Sequence, residues 1–363
     1  MHILLFTLIL IDCIYCCCWQ IATAFRQYYF STEDTEWLRT AGFPMINGLA
    51  QYYASRFKLG ADGKLHVYNT TGPDEYNANV MDSTYSNAVG IMALRSAYEL
   101  AAAAGAVPNT TYERLAALVY LPYDVERDYH PEFEGWSTST HGGLIKQADT
   151  VLMQYPLNFP MNVSTRRNDM RIFDAATDVK GVAMGWAVIS LIHKDLGDAD
   201  KAAHFFRVAY NTTSPPFYEW HEGFGQEGSS AQGAPNFVTG AGGWLQTVVN
   251  GFGGLRWERP GVLTLHDPQP LPNSTELRLR GVSFLGARLD IVATARGWTV
   301  ALSSRAMGRT DGVPPALELV MEAGTDGAAN SVRLTHTPVA RKRGMVGLVR
   351  RVSHQAVVDL LYS

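Results

Sequence analysis

The chain has 363 residues, of which 47% are hydrophobic and 18% charged, which allows sizeable cores and excludes global disorder. Thirty basic residues against 34 acidic ones give a net charge of −4, which excludes a generic nucleic-acid binder, because neutralising phosphate takes a basic surface. The length suits about two to three domains, and the 17 Tyr and 8 Trp suit both large cores and a cleft whose flat rings stack on sugars.

All four cysteines fall at Cys13, Cys16, Cys17 and Cys18, so the remainder of the chain holds no disulfide framework and no cysteine metal site. Ile3 to Ile11 is an apolar run too short to span a bilayer. It has the length of a signal-peptide core, and Ala22-Thr23-Ala24 has the small-x-small form of a cleavage site. Against this, no Lys or Arg precedes the run, and Asp12 interrupts it before the site. Residues 1–19 are therefore expected to be a signal-like or extraneous segment. Sequons at Asn69, Asn109, Asn162, Asn211 and Asn273 favour a secreted or vacuolar location.

A helical region is expected over 20–255. One helix should run from Gln20 to Phe30. A second, rich in small residues, should be capped by Asp82 and stopped by Gly105. A third should open at Asp178 and pass through Val182, Trp186, Ile189 and Leu196, apolar nearly all round and so buried. A fourth should start at Asp198 or Asp200 and reach Ala209. After Gly254 the period changes to two, with short runs at 262–265, 276–279, 288–292, 299–302 and 317–320 separated by Gly, Pro, Asn and Asp. These predict antiparallel strands over 256–363, with a boundary near Arg256 to Pro260. Helices followed by strands imply two separate cores rather than an alternating α/β sheet.

Four loops carry polar and aromatic clusters. Gly72-Pro73 is a tight turn that presents Asp74 and Glu75, and Tyr129 to Trp136 interleaves acids and rings. On composition alone, both read as exposed loops. Lys146, Gln147 and Asp149 head an apolar segment, where Lys146 and Gln147 could donate to sugar hydroxyls or begin a helix. Phe217 to Gly223 sets Glu219 and Glu222 among three rings, ahead of a Gly/Ser-rich stretch from Gly225 to Gly233.

Gly72-Pro73-Asp74-Glu75-Tyr76, followed by Tyr85-Ser86-Asn87, resembles the signature of glycoside hydrolase family 65. The resemblance continues through Trp37-Leu38, Ala54-Ser55-Arg56, His130-Pro131-Glu132-Phe133, Lys146-Gln147-Ala148-Asp149 and Asn236-Phe237-Val238-Thr239-Gly240, and covers about Ile21 to Leu302. It implies a mainly α fold, an (α/α)6 barrel followed by a small β-sandwich. Here the barrel would be N-terminally truncated, lacking its first helices and the family's leading β-sandwich. A further departure is Asn77, where the family usually has His.

The resemblance makes Glu75 the general acid and Glu222 the general base, with Glu219 as the alternative base. It places Lys146 and Gln147 on glucose, with Asp74, Tyr76 and Trp220 lining the substrate. Asp74, if it faces the site, would repel a proton-free Glu75. The implied reaction is inverting hydrolysis of an α-glucosidic bond, with trehalose slightly ahead of glucosyl-galactosyl-hydroxylysine as substrate. It needs no metal and no cofactor. Expected partners are a disaccharide or a glycosylated peptide, with neither nucleic acid nor stable membrane insertion. A phosphorylase using Gly228-Ser229-Ser230 to hold phosphate, or a non-catalytic fragment, is the alternative.

Overall fold

The computed structural model describes residues 21–139, 143–179, 181–223, 232–303, 316–321, 331–335, 337–342 and 345–352. The cysteine cluster and the Gly228-Ser229-Ser230 stretch lie outside the described residues. The chain divides into two compact units. One holds Asp34–Trp244 with the residues up to Arg26, and the other holds Gln27–Glu33 with the residues from Leu245 onward.

The first unit is mainly helical. Helix α1 covers residues 21–32, of which those up to Arg26 belong to this unit and those from Gln27 to the second. Helix α2 (Phe43–Arg56) packs against α3 (Thr84–Ala101), and α3 packs against α4 (Thr110–Leu118). A short hairpin, β1 (Lys58–Leu59) with β2 (Leu65–His66), links α2 to the Gly72–Tyr76 turn. Ser83 caps α3 by accepting from the Ser86 amide. Asp82, the expected cap, lies one residue earlier with φ of 51° and serves a different purpose. Its carboxylate takes His66 Nδ1 at 2.6 Å, the Val67 amide at 2.9 Å and Asn87 Nδ2 at 2.9 Å, tying the hairpin to the helix.

Helix α5 (Val163–Ala176) leads to α6 (Gly185–Asp195), which packs on α7 (Ala199–Tyr210). Every residue of α6 from Gly185 to Lys194 is buried, as its all-round apolar pattern requires. Asp178 does not open this helix, which begins seven residues later. Asp198 caps α7 by accepting from the Lys201 amide at 3.1 Å. The core beneath these helices gathers Phe133, Trp136, Ile145, Val151, Phe173, Trp186, Ile189 and Ile192. Strands β3 (Thr213–Ser214), β4 (Glu219–Gly223) and β5 (Gln232–Pro235) form a small antiparallel sheet before α8 (Val238–Gln246).

The second unit consists of two antiparallel sheets. Its strands are β6 (Leu255–Arg259), β7 (Val262–His266), β8 (Glu276–Phe284), β9 (Ala287–Thr294), β10 (Gly297–Leu302), β11 (Leu317–Met321), β12 (Ser331–Arg333), β13 (Val339–Lys342) and β14 (Val346–Arg351). One sheet runs in the order β13-β10-β9-β8 and the other β12-β11-β14-β7-β6. Along β9, buried and half-buried residues alternate, with Leu289, Ile291 and Ala293 facing inward. Trp298 of the first sheet is fully buried and donates its indole N–H at 3.2 Å to the carbonyl of Met345, the residue before β14, the central strand of the second sheet.

Candidate active site

The Gly72–Tyr76 turn sits against a wall of buried carboxylates. Gly72 has no room for a side chain, since a Cβ there would lie 2.5 Å from Asp149 Oδ2. That same oxygen accepts the Asp74 amide at 2.9 Å. Gln147 donates to the Pro73 carbonyl at 2.5 Å. The turn is therefore held by two side chains of the 146–149 segment, one acting as acceptor and one as donor.

Asp74 and Glu75 point in opposite directions. Asp74 is fully buried. One of its oxygens accepts the amides of Lys146 at 2.7 Å and Tyr76 at 3.2 Å, and the other accepts Asn77 Nδ2 at 2.8 Å. Its carboxylate thus faces inward and orders the loop. Glu75 is half exposed, and its Oε2 lies 2.5 Å from Lys146 Nζ. Tyr76 is also exposed, and its hydroxyl donates to Asp178 Oδ2 at 2.9 Å. The rim therefore consists of Glu75, Lys146, Tyr76 and Asp178.

Beneath the rim lies Glu132, in the loop whose composition suggests an exposed position. The structure buries it, together with His130 and Trp136. Its backbone carbonyl accepts the Thr84 amide at 2.9 Å, the Thr84 hydroxyl donates to the Pro131 carbonyl, and the Glu134 amide donates to the Met81 carbonyl at 3.2 Å. The loop is thereby tied to the start of α3. Burial, followed by the nearby Asp149 and Asp74 carboxylates, holds the Glu132 carboxyl far above the ordinary carboxylate range. Asp149 is also pushed up, mainly by burial, while the Asp74 amide that it accepts pulls it part of the way back. Both carboxyls therefore hold their protons more tightly than an ordinary carboxyl does.

The later residues are reached through the 176–183 segment. Its near end is bound to the 145–146 strand, as the Ile145 amide donates to the Ala176 carbonyl and the Asp178 amide to the Ile145 carbonyl, each at 2.8 Å. Its far end meets β4, where the Ala183 amide donates to the Glu222 carbonyl at 2.8 Å. Asp178 and Ala183 thus stand at opposite ends of one short segment, the first on Tyr76 and the second on Glu222. The register between β4 and β5 shifts between the His221–Pro235 and Gly223–Gln232 pairs. The Glu222 side chain lies over Gly233, where a Cβ would come within 2.9 Å of Glu222 Cβ. Glu219 pairs with Ser214 at the other end of β4.

Trp220 packs among rings, with its centroid 5.9 Å from both Trp244 and Tyr210. Its indole N–H is buried without a hydrogen-bond partner. The sequence reading missed Glu132, Asp149 and Asp178 as functional positions. The Lys-Gln-Ala-Asp run did contain Asp149, but an acid that ends such a run carries no local mark of which backbone amide it will accept.

Among the described residues, no group of three His, Cys, Asp or Glu side chains is arranged to hold a metal ion. No helix among them is long and apolar enough to cross a membrane.

The chain is similar to the protein-glucosylgalactosylhydroxylysine glucosidase of Danio rerio, at 35% identity over 278 residues, covering 76% of this chain and 41% of that protein. It is similar to the cell wall acid trehalase of Arthroderma benhamiae, at 29% identity over 283 residues, covering 75% of this chain and 26% of the trehalase. The chain thus spans about two fifths or less of the length of these curated relatives. Its fold is similar to the solved structure of a proposed kojibiose phosphorylase from the human microbiome, with a TM-score of 0.63 at 15% identity, covering 89% of this chain and 46% of the other. Residues 17–141 match the glycosyl hydrolase family 65 central catalytic domain, and the chain belongs to that family.

Proposed function

We propose that the helical unit is the part of an (α/α)6 barrel that carries an inverting α-glucoside hydrolase site, with the two sheets after it forming a β-sandwich. In this reading residues 20–255 form the catalytic portion and 256–363 the accessory domain.

Glu75 is the general acid. In the sugar-free state it is paired with Lys146. A bound glucose unit offers hydroxyl oxygens to the Lys146 ammonium, which draws Lys146 away from Glu75; Glu75 then takes a proton from solvent and delivers it to the glycosidic oxygen. Gln147 and Asp74 fix the turn, Tyr76 lines the rim, and Trp220 supplies an aromatic wall. Glu222 is the base that deprotonates the attacking water. Inversion requires the two carboxyl groups about 6.5–9.5 Å apart, so that a water fits between base and sugar.

The observation that carries this reading is the Glu75–Lys146 pair at the open lip of a turn that the buried Asp74, Gln147 and Asp149 hold from below. The similarity to the glucosylgalactosylhydroxylysine glucosidase runs at higher identity than that to the trehalase. We therefore place glucosyl-galactosyl-hydroxylysine first as substrate and trehalose second.

The test is glucose release by the full chain from a glucosyl-galactosyl-hydroxylysine peptide and from trehalose, with the anomer read by NMR immediately after cleavage. β-Glucose is expected. β-Glucose 1-phosphate formed in phosphate buffer would make the chain a phosphorylase instead.

A further inference from the structure

We propose that Glu132 is a positioning residue which, in its protonated form, donates a hydrogen bond to Asp74 and so locks the loop that presents Glu75 and Lys146. The inference rests on the assignment of Glu75 and Lys146 to the sugar site.

The argument begins from hydrogen-bond accounting. Asp74 already accepts three donors, the Lys146 amide, the Tyr76 amide and Asn77 Nδ2. A carboxyl that takes three donors is serving as an ionised acceptor. Glu132 is 3% exposed, and its carboxyl interacts with that of Asp74. Two buried carboxyls in such contact cannot both be ionised, and the proton belongs on Glu132, which has the Asn77 side chain to turn to but none of the backbone amides that Asp74 accepts. Glu132 Oε2 and Asp149 Oδ1 are buried with no partner at all, which an ionised oxygen would not tolerate. The groups facing Glu132 are Asp74, Asp149 and the neutral Asn77 amide, and burial with the two acids raises its affinity for the proton.

The bond has a structural effect at the rim. Asp74 fixes the backbone on either side of Glu75 through Tyr76, and fixes Lys146 through its amide. These are the two residues whose side chains meet at 2.5 Å. If Glu132 ionised, two buried anions would face each other at Asp74, and the turn would have to open to hydrate one of them. Glu132 itself reaches neither the rim nor solvent, so it acts through Asp74.

The experiment compares wild type, Glu132→Gln and Glu132→Ala in the full chain by hydrogen–deuterium exchange and infrared spectroscopy. Gln is isosteric, always neutral and able to donate to Asp74. Glu132→Ala should speed exchange at the Tyr76 and Lys146 amides by about tenfold or more, while Glu132→Gln should stay within about twofold of wild type. Wild type should show a protonated-carboxyl band at neutral pH that weakens in Glu132→Gln. Equal exchange in all three proteins would overturn the proposal, as would a band that Glu132→Gln leaves unchanged. Should Glu132→Ala fail to fold, the band in wild type and Glu132→Gln decides the question alone. Glucose release is measured on the same wild-type sample. The expected protection and band without any release would sink the hydrolase reading while leaving the role of Glu132 in fixing the loop.

Discussion

Asp74 and Glu75 are chemically near-identical neighbours with opposite fates. Asp74 belongs to a floor, with Glu132 and Asp149, in which every carboxyl is buried and answered by amides or by a proton. Glu75 belongs to a rim, with Lys146, Tyr76 and Asp178, that is open to solvent. The difference shows where stability and chemistry are kept. In the proposed mechanism the floor holds its carboxyls buried and in place, whereas the rim needs one that can give up a proton and take it back. Substitutions should therefore separate along this line, with rim changes altering turnover and floor changes altering folding.

The largest expected effect is at the rim. Glu75→Gln should lower turnover of an unactivated glucoside by about 10²- to 10⁴-fold, the usual contribution of a general acid. Its melting temperature should stay close to that of wild type, because a half-exposed ion pair stabilises little. A substrate with a good leaving group should be partly spared, and equal loss on both substrates would move Glu75 from the chemistry to the scaffold. Glu222→Ala should lose activity that added azide restores, since the anion needs no deprotonation. Restoration in Glu219→Ala instead would move the base to the other end of β4.

The next effect is at the floor. Asp74→Ala strips three donors of their buried acceptor and should cost roughly 3–5 kcal/mol by chemical denaturation. A loss below about 1 kcal/mol would mean that water enters the cluster freely.

A smaller effect depends on pH. Folded Asp149 holds its proton more tightly than the ordinary carboxylate, so the unfolded chain releases the proton first as pH rises. Its contribution to stability is therefore greatest in acid and declines as pH climbs above the unfolded value of about 3.9. Asp149→Asn removes that decline. Relative to wild type, the variant should gain melting temperature steadily between about pH 5 and pH 8. A constant difference across that range would show that Asp149 is ionised in the folded protein.

The smallest effect should be that of Tyr76→Phe. It loses one exposed hydrogen bond to Asp178, worth about 0.5–1.5 kcal/mol at most.

The features legible in the sequence were those whose cause lies within a few residues. Asp198 caps α7 through an amide three positions on, and the period-two runs became β7 to β11 because alternation is itself the local signal. The residues that were misread answer to distant partners. Asp82 looks like a helix cap and instead binds His66 and Val67. Asp178 looks like a helix start and instead holds the hydroxyl of Tyr76. Acids and rings between Tyr129 and Trp136 have the composition of a surface loop, yet His130 finds Asp169 at 3.1 Å and Glu132 finds Asp74, so the loop sinks into the core. In the site itself, the motif picked out the turn, but whether Asp74 or Glu75 faces inward is decided by the 146–149 segment.

The lengths of chain enclosed by those contacts bear on how the protein folds. The Asp74 amide closes on Asp149 across 75 positions, Lys146 on Asp74 across 72, and Tyr76 on Asp178 across 102. Loops of this size form slowly and give back their entropy only when the final partner docks. No fragment ending between the turn and the 146–149 segment can contain the floor, so the rim has nothing to rest on until both are made. During synthesis on the ribosome, Gly72–Tyr76 must therefore wait unsupported for many residues. For that interval the buried acids of the finished protein are ordinary charged side chains in water, which keeps the nascent segment soluble until its partners arrive.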